Sequence, residues 1–85
     1  MAERTVRVAL ASGLHARPAA VFVQAVGTTG LPVTIRRVNG HAADARSILS
    51  VIALDVRQGE EVILSADGPP QVLDELAALL AQDLI

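Results

Sequence analysis

The apolar residues of this chain change their spacing along its length, from every second residue to every third or fourth and back again, and that alternation limits the folds open to it. Val6, Val8 and Leu10 alternate with Thr5, Arg7 and Ala9, as in a half-buried strand. After the loop Ala11-Ser12-Gly13-Leu14-His15, the residues Ala19, Phe22, Val23 and Val26 form one helical stripe between about Ala16 and Gly27. Pro18 fits that helix only in its first turn, where a missing N–H removes no hydrogen bond. The helix therefore starts next to His15. Gly30 and Pro32 punctuate the return, Val33 to Val38 reads as a strand, and Asn39-Gly40 is a hairpin turn leading to a short strand from His41. Ser47 is a good N-cap for a short helix carrying Ile48, Leu49, Val51 and Ile52. Gln58-Gly59 then turns the chain into a strand from Glu60 to Ala66. Asp67-Gly68-Pro69-Pro70 opens a last helix with Leu73, Leu76, Leu80 and Leu84 inside and Asp74, Glu75 and Asp83 mostly outside. The order βαββαβα predicts an α+β fold, a small antiparallel sheet with helices on one face.

Composition removes several functions. With 85 residues the chain is expected to form one domain, 1–85. Hydrophobic residues make up 52%, yet Phe22 is the only aromatic, so the core must be aliphatic. Seven basic residues, all Arg, against nine acidic ones give a net charge of −2. A polyanion binder needs a basic balance and a single-strand binder needs stacking rings, so no nucleic-acid partner is expected. The absence of Cys excludes disulfides and thiolate metal sites, and His15 and His41 stand too far apart for a metal cluster. No cofactor is expected. The apolar run from Ile48 to Leu54 falls well short of the roughly 20 residues a spanning helix needs. Glu3 and Arg4 are followed by no signal-peptide core, so a cytoplasmic location is expected.

The informative segment is Gly13-Leu14-His15-Ala16-Arg17-Pro18-Ala19-Ala20. It puts an imidazole at the mouth of a helix, where free backbone N–H groups and the positive end of the dipole gather. Such a terminus suits an anion, and Arg17 adds a fixed guanidinium fork. A nucleophilic imidazole, an anion cradle and a guanidinium together describe a residue that accepts a phosphoryl group. Taken as spacing alone, the same pattern also fits a loop histidine that merely caps the helix.

The segment Gly13-Leu14-His15-Ala16-Arg17-Pro18-Ala19 resembles the active-site signature of HPr, the histidine-containing phosphocarrier of the bacterial phosphoenolpyruvate-dependent sugar phosphotransferase system. The resemblance extends over essentially the whole chain, through Asn39-Gly40, Ala45-Arg46-Ser47-Ile48-Leu49 and the Leu54…Gly59 turn. It implies an open-faced sandwich, a four-stranded antiparallel sheet covered by three helices. It implies that His15 is phosphorylated on Nδ1 by phosphorylated enzyme I and passes the group to enzyme IIA domains. Arg17 would support the phosphate together with the amides of Ala16 and Arg17, and Pro18 would fix the helix start. Such a protein is a carrier rather than an enzyme, and members act as monomers with transient partners.

The matching serine in many HPr proteins is phosphorylated by a dedicated ATP-dependent serine kinase, which makes Ser47 a regulatory candidate as well as an N-cap. The resemblance also implies a partner-docking patch around the histidine, drawn here from Leu14, Ala20, Ile48, Leu49 and Val51 or Ile52, with about half of these apolar residues needed by the core. Members often carry a Lys on the first helix where this chain has Gln24 and Gly27, and one extra residue lies near Asn39. His41 reads as an exposed turn residue, Arg36 and Arg37 as a solvated strand face, and Arg46 as a contact for a partner or for phosphorylated Ser47. Three other readings stand beside the carrier: an HPr-like regulator controlled at Ser47, a nitrogen-related phosphotransfer carrier, and a small anion-binding module in which His15 does not react.

Overall fold

Alternating and helical stretches fold into seven elements: β1 Ala2–Arg7, α1 Ala16–Thr29, β2 Val33–Arg37, β3 Ala43–Asp44, α2 Ile48–Ala53, β4 Glu61–Ala66 and α3 Pro70–Ala81. They are seen in a computed structural model that describes residues 1–83. The sheet has four antiparallel strands in the order β1-β4-β2-β3, so the last strand of the chain inserts beside the first. In register, Val6 lies opposite Val62, and Ile35 opposite Leu64. With Val33 and Ala66 these residues form the inner, buried face. Phe22 and Val26 of α1, Val51 of α2, and Leu73, Leu76 and Leu80 of α3 are buried in the same core. Burying each such side chain contributes about 1.5–3 kcal/mol. The other face of the sheet stays open and mostly polar. There Thr5, Ile63 and Arg36 lie in register, and Ser65 Oγ donates to Glu3 Oε2 at 3.1 Å. The result is an open-faced α+β sandwich.

Two local expectations change. Strand β1 begins at Ala2 and ends at Arg7, while Val8 and Leu10 continue to point inward beyond the ladder. Val8 is held there by its amide on Glu60 O and its carbonyl on the Gly59 amide, both 2.8 Å. Asn39-Gly40 is not the central pair of a hairpin turn. Neither residue has positive φ, and the Gly40 amide closes back on Arg37 O at 3.0 Å. Val38 and Asn39 are therefore the turn's central residues, with Gly in the fourth position. The partner strand accordingly starts only at Ala43. Leu84, expected on the buried stripe of α3, lies outside the described residues.

The segment between β1 and α1 is tied down at every step. The Ala9 amide donates to Leu80 O at 2.8 Å, the Ala11 amide to Asp83 Oδ1 at 3.1 Å and the Leu14 amide to Val56 O at 2.9 Å. Gly13 makes the last of these possible. It is buried at φ +77°, and a Cβ there would stand 2.5 Å from the Val56 carbonyl oxygen. Only glycine meets both conditions.

Gly13→Ala is therefore expected to lose about 2–4 kcal/mol, from strain at positive φ and from displacement of the Val56 carbonyl. Gly27→Ala is the internal control. Gly27 sits within α1, and a methyl group added there would meet nothing within 4 Å, so alanine should gain up to about 1 kcal/mol. Urea unfolding of both variants checks the pair; equal and small effects would contradict the tie.

Candidate functional site

His15 is the N-cap of α1, in extended conformation with φ −132° and ψ 165°. Its side chain makes no capping hydrogen bond, so the imidazole is not used to close the helix. The next residue, Ala16, has φ +48°, a conformation that costs an alanine roughly 1–2 kcal/mol. Strain is thus stored in the peptide that follows the histidine. Helix α1 has no acidic residue in its first turn to offset the positive end of its dipole. Pro18 lacks an N–H, and the Ala19 amide already reaches His15 O at 3.4 Å. The amides of Ala16 and Arg17 make no hydrogen bond among the described residues. The Arg17 side chain is exposed and forms no ion pair among them.

The imidazole is about one-third exposed, at 32%. Its Nε2 lies 3.1 Å from Oδ1 of Asp55, and its Nδ1 has no partner among the described residues. Asp55 follows the end of α2 and has φ +52°, with its amide on Ile52 O at 3.0 Å. Its second oxygen accepts from Arg57 Nη2 at 3.3 Å. Arg37 supports this turn from the sheet. Its Nη1 donates to the carbonyls of Leu54 and Asp55, each at 3.2 Å, and its Nη2 pairs with Glu60. Glu60 Oε1 in turn accepts from the Arg57 amide at 2.8 Å. The expectation of a solvated strand face fails for Arg37. It lies opposite Val62, on the face that Val33 and Ile35 share, and so reaches under α2 at the end of the sheet.

The other candidates divide between surface and core. Ala20, Ile48 and Leu49 are exposed, Leu49 most of all at 78%. Ile52 is half-buried against the core. Leu14 and Val51 are fully buried, which corrects their place in the docking patch. Leu14 is drawn inside by its amide tie to Val56, and Val51 points to the side of α2 opposite the exposed edge. Ser47 is the N-cap of α2, its Oγ accepting from the Ser50 amide at 3.3 Å. Arg46 is engaged with Asp44, whose carboxyl is held below its ordinary range by the Arg46 amide first and by its guanidinium second. His41 is exposed between the turn and β3. Asp55, beside the ring of His15, and Arg37, which holds the Asp55 carbonyl, were not foreseen from the sequence as neighbours of the histidine. The only available signal was the alternation Val33, Ile35, Arg37, which puts the arginine on the inner face.

Comparison with known proteins agrees with this geometry. Residues 2–82 match the family model described as the PTS HPr component phosphorylation site. The chain is 48% identical over 86 residues to the phosphocarrier protein HPr of Streptomyces coelicolor, covering 99% of this chain and 92% of that one. A crystal structure of a phosphocarrier protein HPr from Bacillus anthracis superposes with a TM-score of 0.87 at 31% identity, covering 93% of this chain and 95% of the other. Crh of Bacillus subtilis, solved as a dimer with a swapping domain, superposes at 0.74 with 36% identity, over 100% and 99% of the two chains. This chain belongs to the HPr family of phosphocarrier proteins of the phosphotransferase system.

Proposed function

We propose that this protein is a phosphoryl carrier, acting as a monomer of one domain spanning 1–85 in the cytoplasm. His15 takes a phosphoryl group from phosphorylated enzyme I and hands it to enzyme IIA domains. The observation that carries the reading is His15 itself: a partly exposed imidazole at the mouth of α1, with Nδ1 unpartnered among the described residues. The Nδ1 lone pair attacks phosphorus as the donor's bond to phosphorus breaks and its electron pair returns to the donor. The new phosphate then lies against the amides of Ala16 and Arg17, with the Arg17 guanidinium closing on its oxygens. Transfer onward runs the same path in reverse. Family membership and the absence of any membrane-crossing helix among the described residues support a soluble working environment.

Ala20, Ile48 and Leu49, with the edge of Ile52, form the apolar surface that partners cover. Ser47 serves as a brake beside it. A phosphate on its Oγ stays at the mouth of α2 while adding about two negative charges next to the docking residues.

His15→Ala is expected to fold normally and to take up no phosphoryl group from phosphoenolpyruvate, Mg²⁺ and enzyme I, as read by intact mass. An acid-labile adduct surviving in that variant would overturn the assignment. Arg17→Lys keeps the charge but loses the planar fork. It should slow transfer about tenfold, equivalent to about 1.4 kcal/mol at the barrier. Because Arg17 has no intramolecular ion pair among the described residues, stability should stay within about 0.5 kcal/mol of wild type. Wild-type rates for both uptake and handover would make Arg17 a plain surface charge.

A further inference from the structure

The contact between His15 Nε2 and Asp55 Oδ1, at 3.1 Å, fixes more than the orientation of a ring. A carboxylate set against one ring nitrogen favours the proton on that nitrogen, here Nε2. In a neutral imidazole that leaves the lone pair on Nδ1. Asp55 is itself held on three sides. Its amide is bonded to Ile52 O, its carbonyl receives Arg37, and its Oδ2 receives Arg57, which leaves Oδ1 directed at His15. A residue at φ +52° is strained unless something fixes it there, and these bonds do so.

We propose that Asp55 is a positioning residue for phosphoryl transfer: its carboxylate, set against Nε2, holds His15 in the tautomer whose Nδ1 is the nucleophile, and it balances the charge that the ring acquires. The proposal rests on the carrier reading. In the step, the Nδ1 lone pair forms the N–P bond while the donor's bond to phosphorus breaks and returns its electron pair to the donor. No proton has to move. The acceptor ring, with phosphorus on Nδ1 and hydrogen on Nε2, becomes cationic beside the Asp55 carboxylate. Handover restores the neutral ring with its proton still on Nε2, ready for the next cycle. At 55% exposure, the carboxylate's effect is screened and so moderate.

Asp55→Gly tests this without threatening the fold, because glycine favours the positive φ that Asp55 adopts. The tautomer is read from long-range ¹H–¹⁵N spectra of ring-labelled protein at about pH 9, where imidazoles are neutral. The rate is read as phosphoryl uptake from phosphorylated enzyme I. Wild type should show the Nε2–H form. Asp55→Gly should show a mixture, with kcat lower by about tenfold, the lower end of what losing a histidine's orienting carboxylate costs in metal sites. KM should change by less than about twofold, since the docking residues are untouched. An unaltered tautomer or an unaltered kcat in Asp55→Gly overturns the assignment while leaving the carrier reading intact. Wild-type protein that takes up no phosphoryl group at all overturns the carrier reading, and Asp55's part in transfer with it.

Discussion

The hydrogen bond from the Leu14 amide to the Val56 carbonyl is the contact on which the site depends. It joins two loops distant in sequence, one leading into α1 and the other leading out of α2. Gly13 lets them meet because no Cβ stands between its backbone and that carbonyl. Such a bond contributes only about 0.5–1.5 kcal/mol by itself. Its larger effect is geometric. It sets where α1 begins, buries Leu14 and brings the imidazole within reach of the residue preceding Val56. Without it, His15 would be one of many loop histidines.

Around that tie, charge is used for positioning. Arg37, Glu60, Arg57 and Asp55 are all partly or largely exposed, so none of their pairs contributes much stability. Together they hold one turn in one conformation. Arg37 satisfies two carbonyls just beyond α2, where the helix no longer supplies amide donors. The two residues of positive φ that are not glycine both adjoin His15, Ala16 at +48° as its neighbour in the chain and Asp55 at +52° as the partner of its ring. Their coincidence at the histidine fits the general tendency of backbone strain to collect where function requires a set geometry.

Much of this arrangement was legible from local signals. The placement of Pro18 located the start of α1, and the changes of apolar period yielded the element order and the inner face of β1. The segment from Gly13 to Pro18 was enough to place His15 at the mouth of a helix. What escaped was non-local. Asp55 lies forty residues from His15 and meets it only because the chain just beyond α2 passes through a left-handed residue that no motif announces. Arg37 follows the inward rhythm of Val33 and Ile35, but a charge on an apolar face reads as solvated until the carbonyls it satisfies are seen. Leu14 borders the histidine in sequence and so reads as open to partners. It is buried because the Gly13 backbone carries it inside. Asn39-Gly40 misled for a related reason: the dipeptide favours one turn type, while the actual closure at Arg37 places it one position later.

On these grounds the histidine is presented by a loop held as firmly as the core. Native-state hydrogen exchange at the Leu14 amide, followed through low concentrations of denaturant, measures that firmness. This amide is expected to exchange only through global unfolding, with the same opening free energy and denaturant dependence as the Ile63 amide in the central strand β4. Exchange through a denaturant-insensitive local opening, about 2 kcal/mol or more below the global value, would contradict it.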